Sequence, residues 1–288
     1  MTTNNSPAAR TALLTTLAML AFAANSVLCR KALSATSIDP ATFTLVRLAS
    51  GALLLGVMAR VRLRGKDCSG GTWPGALALA GYAAFFSFAY LSLSAGTGAL
   101  LLFGAVQATM ISAALMRGER LRPPQWAGLF LALGGLAGLV SPGLTAPDPL
   151  GAAMMAAAGL AWGVYSLLGR GGKVDPTAAT AGNFRLGVLP ASAIAVAAFF
   201  LGGISWDLEG LAYAALSGAL ASGIGYAIWY AALPGLTAAS AATVQLSVPV
   251  ITALGGMVLL SEPLTVRLAL CSLAILGGIA LVVRANRR

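Results

Sequence analysis

The stretch that decides the fold runs from Tyr230 to Gly278, YAALPGLTAASAATVQLSVPVITALGGMVLLSEPLTVRLALCSLAILGG. Most of it has already appeared once, between Tyr90 and Gly135. Each copy is an apolar run, a glutamate with a leucine two positions on, and a second apolar run. The glutamates are Glu119 and Glu262, and a glycine pair follows each after fifteen residues, Gly134-Gly135 and Gly277-Gly278. Both landmarks are offset by 143 residues. Earlier in the copies the offset is 140, pairing Tyr90 with Tyr230, Leu93 with Leu233 and Thr97 with Thr237. The second copy therefore carries about three extra residues near Gln245. An internal repeat governs the fold, so everything else is placed against it.

Composition sets the solvent. Hydrophobic residues make up 58% of the chain and charged residues 9%. A soluble domain carries about 25% charged residues, so this chain has too few to coat a water-facing surface. Its 35 glycines suit closely packed membrane helices. The net charge of +10 is spread over short segments between apolar runs. That is an orientation signal in a bilayer, not a nucleic-acid patch. Cys29, Cys68 and Cys271 show no paired spacing, and histidine is absent. Disulfides, metal sites and cofactors are not expected.

Ten apolar runs are predicted, at about 11–33, 40–60, 73–93, 97–116, 123–141, 149–169, 176–201, 208–231, 237–260 and 264–284. Each is near the ~20 residues that span a bilayer as a helix. The first run has a partner in the second half, Phe22 with Trp162 and Arg30 with Arg170 at offset 140. That marks it as a span and not a cleaved leader. With the N-terminus in the cytoplasm, thirteen Lys and Arg fall in cytoplasmic segments and three outside, namely Arg30, Lys31 and Arg267. Five spans per half is an odd number, so the second half enters the membrane upside down. The expected fold is all-α, with ten transmembrane helices in two inverted five-helix repeats, residues 1–145 and 146–288. Inverted repeats characterise secondary transporters, with sites near the midplane between the halves.

The chain resembles the EamA branch of the drug/metabolite transporter superfamily. The residues that carry the resemblance are Gly118-Glu119-Arg120-Leu121 with Trp126 and Gly134-Gly135, then Pro249, Glu262-Pro263-Leu264 and Gly277-Gly278. Asp39-Pro40 and Val174-Asp175-Pro176 add to it. One departure is that Val106 stands at the first-half counterpart of Pro249. The aromatic third span is similar to that of YddG-type aromatic amino-acid exporters. The resemblance implies a cavity from spans 1, 3, 4, 6, 8 and 9, cytoplasmic termini in the inner membrane, and export.

The third span carries Tyr82, Phe86 and Tyr90 on one face, and the eighth carries Tyr226 and Tyr230 with Trp229 beside them. The first and sixth spans set Phe22 and Asn25 against Trp162 and Tyr165. This duplicated aromatic set reads as a cavity wall for flat or apolar substrates; the alternative is helix packing. Gln107 and Gln245 are large amides within spans, placed to bond a substrate or a neighbouring helix. Arg47 and Arg185 lie deep in the second and seventh spans. They are candidates for holding a substrate carboxylate or pairing across a gate, against snorkelling or carbonyl capping. All eight carboxylates fall at or near span ends or loops. No central acid or histidine can relay protons, and Asn25 in the first span cannot titrate. Enzyme chemistry is therefore not expected, and no residue is assigned a catalytic role. The expected function is export of amino acids with aromatic or large apolar side chains. A facilitator, or an exporter of other metabolites or drugs, is the alternative. The expected partners are a small-molecule substrate and the lipid bilayer, without nucleic acid, and the favoured state is a monomer.

Overall fold

Helix starts follow from side-chain punctuation. Asp39-Pro40, Asp148-Pro149 and Asp175-Pro176 each place a carboxylate at the N-cap and a proline in the first turn. Proline has no N–H to leave unpaired there, and the carboxylate accepts the free amide hydrogens behind it. Asp39 accepts from the amides of Ala41 and Thr42, both at 2.9 Å. Asp148 accepts from Gly151 at 2.6 Å and Asp175 from Thr177 at 2.9 Å.

A computed structural model describes residues 7–62, 70–118, 122–143, 146–169, 174–236, 241 and 244–285. Among them there are helices and no strands. The helices are α1 (Pro7–Ala35), α2 (Pro40–Arg62), α3 (Trp73–Ala89), α4 (Ala95–Met116), α5 (Pro123–Val140), α6 (Pro149–Leu168) and α7 (Pro176–Leu201). Then come α8 (Leu208–Gly235), α9 (Ser247–Leu260) and α10 (Val266–Ala285). Seven of these ten helices are long and apolar enough to cross a membrane, and α3, α9 and α10 are shorter apolar helices. The landmarks Cys68, Glu119, Arg120, Leu121, Arg170 and Thr237 lie outside the described residues.

Several boundaries differ from the expected runs, and two departures bear on the site. The third helix stops at Ala89 and the fourth begins at Ala95. Ser94 explains the early start, because its hydroxyl accepts the Thr97 amide at 3.3 Å and caps α4. The second difference is inside α8, which passes through a π-helical stretch over Ser217–Ile224. Nothing in the apolar run announces it.

The packing exchanges the two halves. The α3–α6 contact has its counterpart in α1–α8, α4–α6 in α1–α9, and α3–α7 in α2–α8. The pairs α2–α7 and α5–α10 map onto themselves. The α5–α10 seam rests on glycine: a Cβ on Gly128 would lie 2.5 Å from the Gly278 carbonyl, and one on Gly135 would lie 2.8 Å from Ile275. Gly134 and Gly277 face open space. One member of each glycine pair thus serves close helix approach.

The end that carries the α1–α2, α3–α4 and α9–α10 turns is tied by a charge network. Glu262 pairs with Arg30 at 3.1 Å and accepts the Ala95 amide at 2.8 Å. Arg30 also donates to the Tyr90 carbonyl at 2.8 Å. Nearby, Asp207 accepts from the Ser37 amide at 2.8 Å and caps α8 through Gly210 at 2.6 Å. The Ser37 amide first, then Gly210, hold the Asp207 carboxyl below its ordinary value.

Candidate functional site

The centre of the bundle gathers rings from four helices. On α3, Tyr82 and Phe86 lie four residues apart on one face, with centroids at 5.3 Å. Tyr82 meets Trp162 of α6 at 4.8 Å, and Trp162 stacks on Tyr226 of α8 at 5.3 Å. Phe22 of α1 meets Tyr226 and Trp229 edge-on at 5.7 Å and 6.1 Å. Tyr165 extends the set from Trp162 at 5.4 Å, and Tyr90 from Phe86 at 4.8 Å. Rings at these separations attract through their edges and offset faces. The predicted aromatic residues other than Tyr230 are therefore one contiguous cluster, packed ring to ring, while the Tyr230 hydroxyl meets that of Thr180 at 3.5 Å.

A polar thread crosses the same place. The Ser217 hydroxyl donates to Asn25 Oδ1 at 2.7 Å. Asn25 Nδ2 donates to the Tyr82 hydroxyl oxygen at 3.3 Å, and Arg47 Nη2 donates to that oxygen at 3.0 Å. The Arg47 guanidinium lies 5.1 Å from the Tyr82 ring centroid and 4.9 Å from that of Phe86. Arg47 is 1% exposed, and its Nε and Nη1 have no hydrogen-bond partner among the described residues.

The π-helical stretch of α8 sets this geometry. Ser217 begins it and points at Asn25. Gly218 lies against the Arg47 carbonyl and the Ser50 hydroxyl, where a Cβ has no room. Glycine there lets α8 close on α2 at the level of Arg47. Such π stretches occur often at functional sites.

The other predicted residues reach beyond this centre or lie outside it. Tyr90 reaches the α3–α4 turn, where its hydroxyl donates to the Ala95 carbonyl at 3.2 Å. Gln107 lines a crevice of about 10 Å³ between α4, α5 and α10, beside Leu136 and Ile279. Gln245 is half-buried just before α9. Arg185 is exposed on α7, beside buried Phe184 and off the buried stripe Phe184, Gly187, Ala191 and Ala195. The structure brings Arg47 into the cluster and leaves Arg185, Gln107 and Gln245 out of it.

Sequence reasoning missed Ser217, Phe184 and Asn183. Phe184 packs on Tyr226 at 6.1 Å. Asn183 donates to the Tyr165 hydroxyl at 3.5 Å and accepts the Thr72 amide at 2.8 Å. A signal for Asn183 was present. The offset of 136 residues that carries Asp39 onto Asp175 carries Arg47 onto Asn183. Among the described residues no group of His, Cys, Asp and Glu is arranged to hold a metal ion.

Residues 9–141 and 149–284 each match the EamA-like transporter family. The chain belongs to that family. EamA-like proteins are membrane transporters of small substrates and in general are not enzymes, so this is a multi-pass membrane transporter. An uncharacterized protein of Pseudomonas aeruginosa is 59% identical over 276 residues, covering 96% of this chain and 95% of its own. An uncharacterized transporter of Archaeoglobus fulgidus is 27% identical over 206 residues, 70% of this chain and 73% of its own. A protein crystal structure superposes with a TM-score of 0.67 at 22% identity, covering 96% of this chain and 99% of that one. That likeness concerns the fold.

Proposed function

We propose that this EamA-like protein exports amino acids with aromatic or large apolar side chains by alternating access. The observation that carries the reading is the contiguous ring set of Phe22, Tyr82, Phe86, Trp162, Tyr226 and Trp229. It draws on α1 and α3 from one half and α6 and α8 from the other. Opening the bundle between those helices would part the rings and offer apolar faces to a side chain. Asn25, Tyr90 and Tyr165 border the set. The ten helices span the inner membrane as two inverted repeats, residues 1–145 and 146–288, with both termini cytoplasmic. The exchange of helix contacts between the halves and the charge split of the loops support that arrangement. The ring set is complete within one chain, which favours a monomer.

The test is thermal stabilisation of the purified protein. Tryptophan, phenylalanine and methionine should each raise the unfolding midpoint by a few degrees at saturating concentration. Stabilisation by a nucleoside or a quaternary amine, with none by any of the three amino acids, contradicts the reading.

A further inference from the structure

Arg47 is the largest fully buried side chain among the described residues. A guanidinium cannot shed its proton in a protein, so it is charged wherever it sits. A buried charge needs a counter-charge, and buried N–H groups need acceptors. Arg47 has one acceptor, the Tyr82 hydroxyl, and Nε and Nη1 remain without one among the described residues. The described carboxylates sit at helix ends and are engaged there, as in Arg30–Glu262 and Arg62–Asp175.

Fold alone does not demand this charge. At the matching position of α7 the neutral Asn183 satisfies its neighbours, bonding Tyr165 and Thr72. The donors around Arg47 also point one way. Asn25 and Arg47 both donate to the Tyr82 oxygen, which leaves the Tyr82 proton to be donated in turn. The cluster thus presents a cation and a hydroxyl donor beside an aromatic wall. It offers no anion to a ligand's ammonium group.

We infer that the central site takes aromatic carboxylates, with the carboxylate on Arg47 and the ring among Tyr82, Phe86 and Trp162, and that it requires no ammonium group. The inference rests on the proposed aromatic site and narrows its substrate class.

Isothermal titration of the purified full-length protein tests it with four probes: 3-phenylpropionate, phenylalanine, phenylalaninamide and phenethylamine. Phenylpropionate should bind at least as tightly as phenylalanine. The two probes without a carboxylate should bind at least about tenfold more weakly, because a charge-assisted hydrogen bond is lost. Arg47→Gln should lose the preference for phenylpropionate over phenylalaninamide, and Arg47→Lys should keep part of it. The comparison on the unaltered protein stands even if a variant does not fold. Equal binding of phenylalaninamide and phenylpropionate overturns the inference, as does full phenylpropionate binding by folded Arg47→Gln. Binding of phenylalanine without phenylpropionate overturns it and leaves amino-acid export standing. Binding of phenylpropionate without phenylalanine supports it and overturns amino-acid export. Binding of none of the four overturns both.

Discussion

Helices α2 and α7 pack on each other and begin with the same Asp-Pro signal, yet their centres differ. In α2 the buried positions include Thr44, Arg47, Leu48, Gly51, Leu55 and Ala59. Moved by 136 residues they become Thr180, Asn183, Phe184, Gly187, Ala191 and Ala195, all buried in α7. Thr44 and Thr180 even make the same bond, each hydroxyl donating at 2.7 Å to the carbonyl of Pro40 or Pro176. The two helices are one design with one substitution of kind. Where α7 holds a neutral amide with both ends bonded, α2 holds a cation with two nitrogens unbonded. The pairing suggested by residue type, Arg47 with Arg185, is off by two positions. That shift carries Arg185 from the buried stripe to the exposed face.

The sharpest way to break this comparison is to neutralise each arginine. Arg47→Gln should lower transport of carboxylate-bearing substrates about tenfold or more, the loss of a charged hydrogen bond. Its thermal midpoint in detergent should stay level or rise, because an uncompensated buried charge is removed. Arg185→Gln should change both by little, as exposed substitutions do, within about 0.5 kcal/mol of stability. Transport rates per folded molecule check both. A larger transport loss in Arg185→Gln than in Arg47→Gln would reverse the assignment.

Asn183→Ala sharpens it from the other side. The substitution leaves the Thr72 amide and the Tyr165 hydroxyl without their partner. It should cost about 1–3 kcal/mol of stability while transport per folded molecule persists. Equilibrium unfolding in detergent alongside uptake separates the two effects.

A smaller effect is expected at the end away from both centres. The Asp207 carboxyl is held below its ordinary value by the Ser37 and Gly210 amides. Its contribution is present above the ordinary value of 3.8 and is lost as pH falls through the lower folded-state value. Asp207→Asn should lower the midpoint at neutral pH slightly and flatten its acid limb, so that the two proteins converge in acid. An unchanged acid limb would remove Asp207 from the account.

The ring cluster was legible in sequence because its residues repeat at offset 140 and at four-residue spacing. Helix starts were legible because Asp-Pro has a local chemical meaning. The face of each residue was not. Most spans are apolar all round, so polarity does not mark which side is buried. Arg185 and Gln107 were placed by depth, which residue counting gives, and not by phase, which packing decides. The π-helical stretch of α8 was hidden for the same reason. It depends on how closely Gly218 approaches the Arg47 carbonyl, a contact between residues 171 apart in sequence.

The most direct measurement is uptake of labelled tryptophan, phenylalanine and methionine into vesicles holding the purified protein, with Trp162→Ala and Tyr82→Ala beside it. The account predicts saturable uptake in which the three compete, since one methylene in an apolar site separates ligands by only about 1–3 kcal/mol. It predicts that both variants fold and lose most of that uptake. No uptake of any of the three, or undiminished uptake by both folded variants, would contradict it.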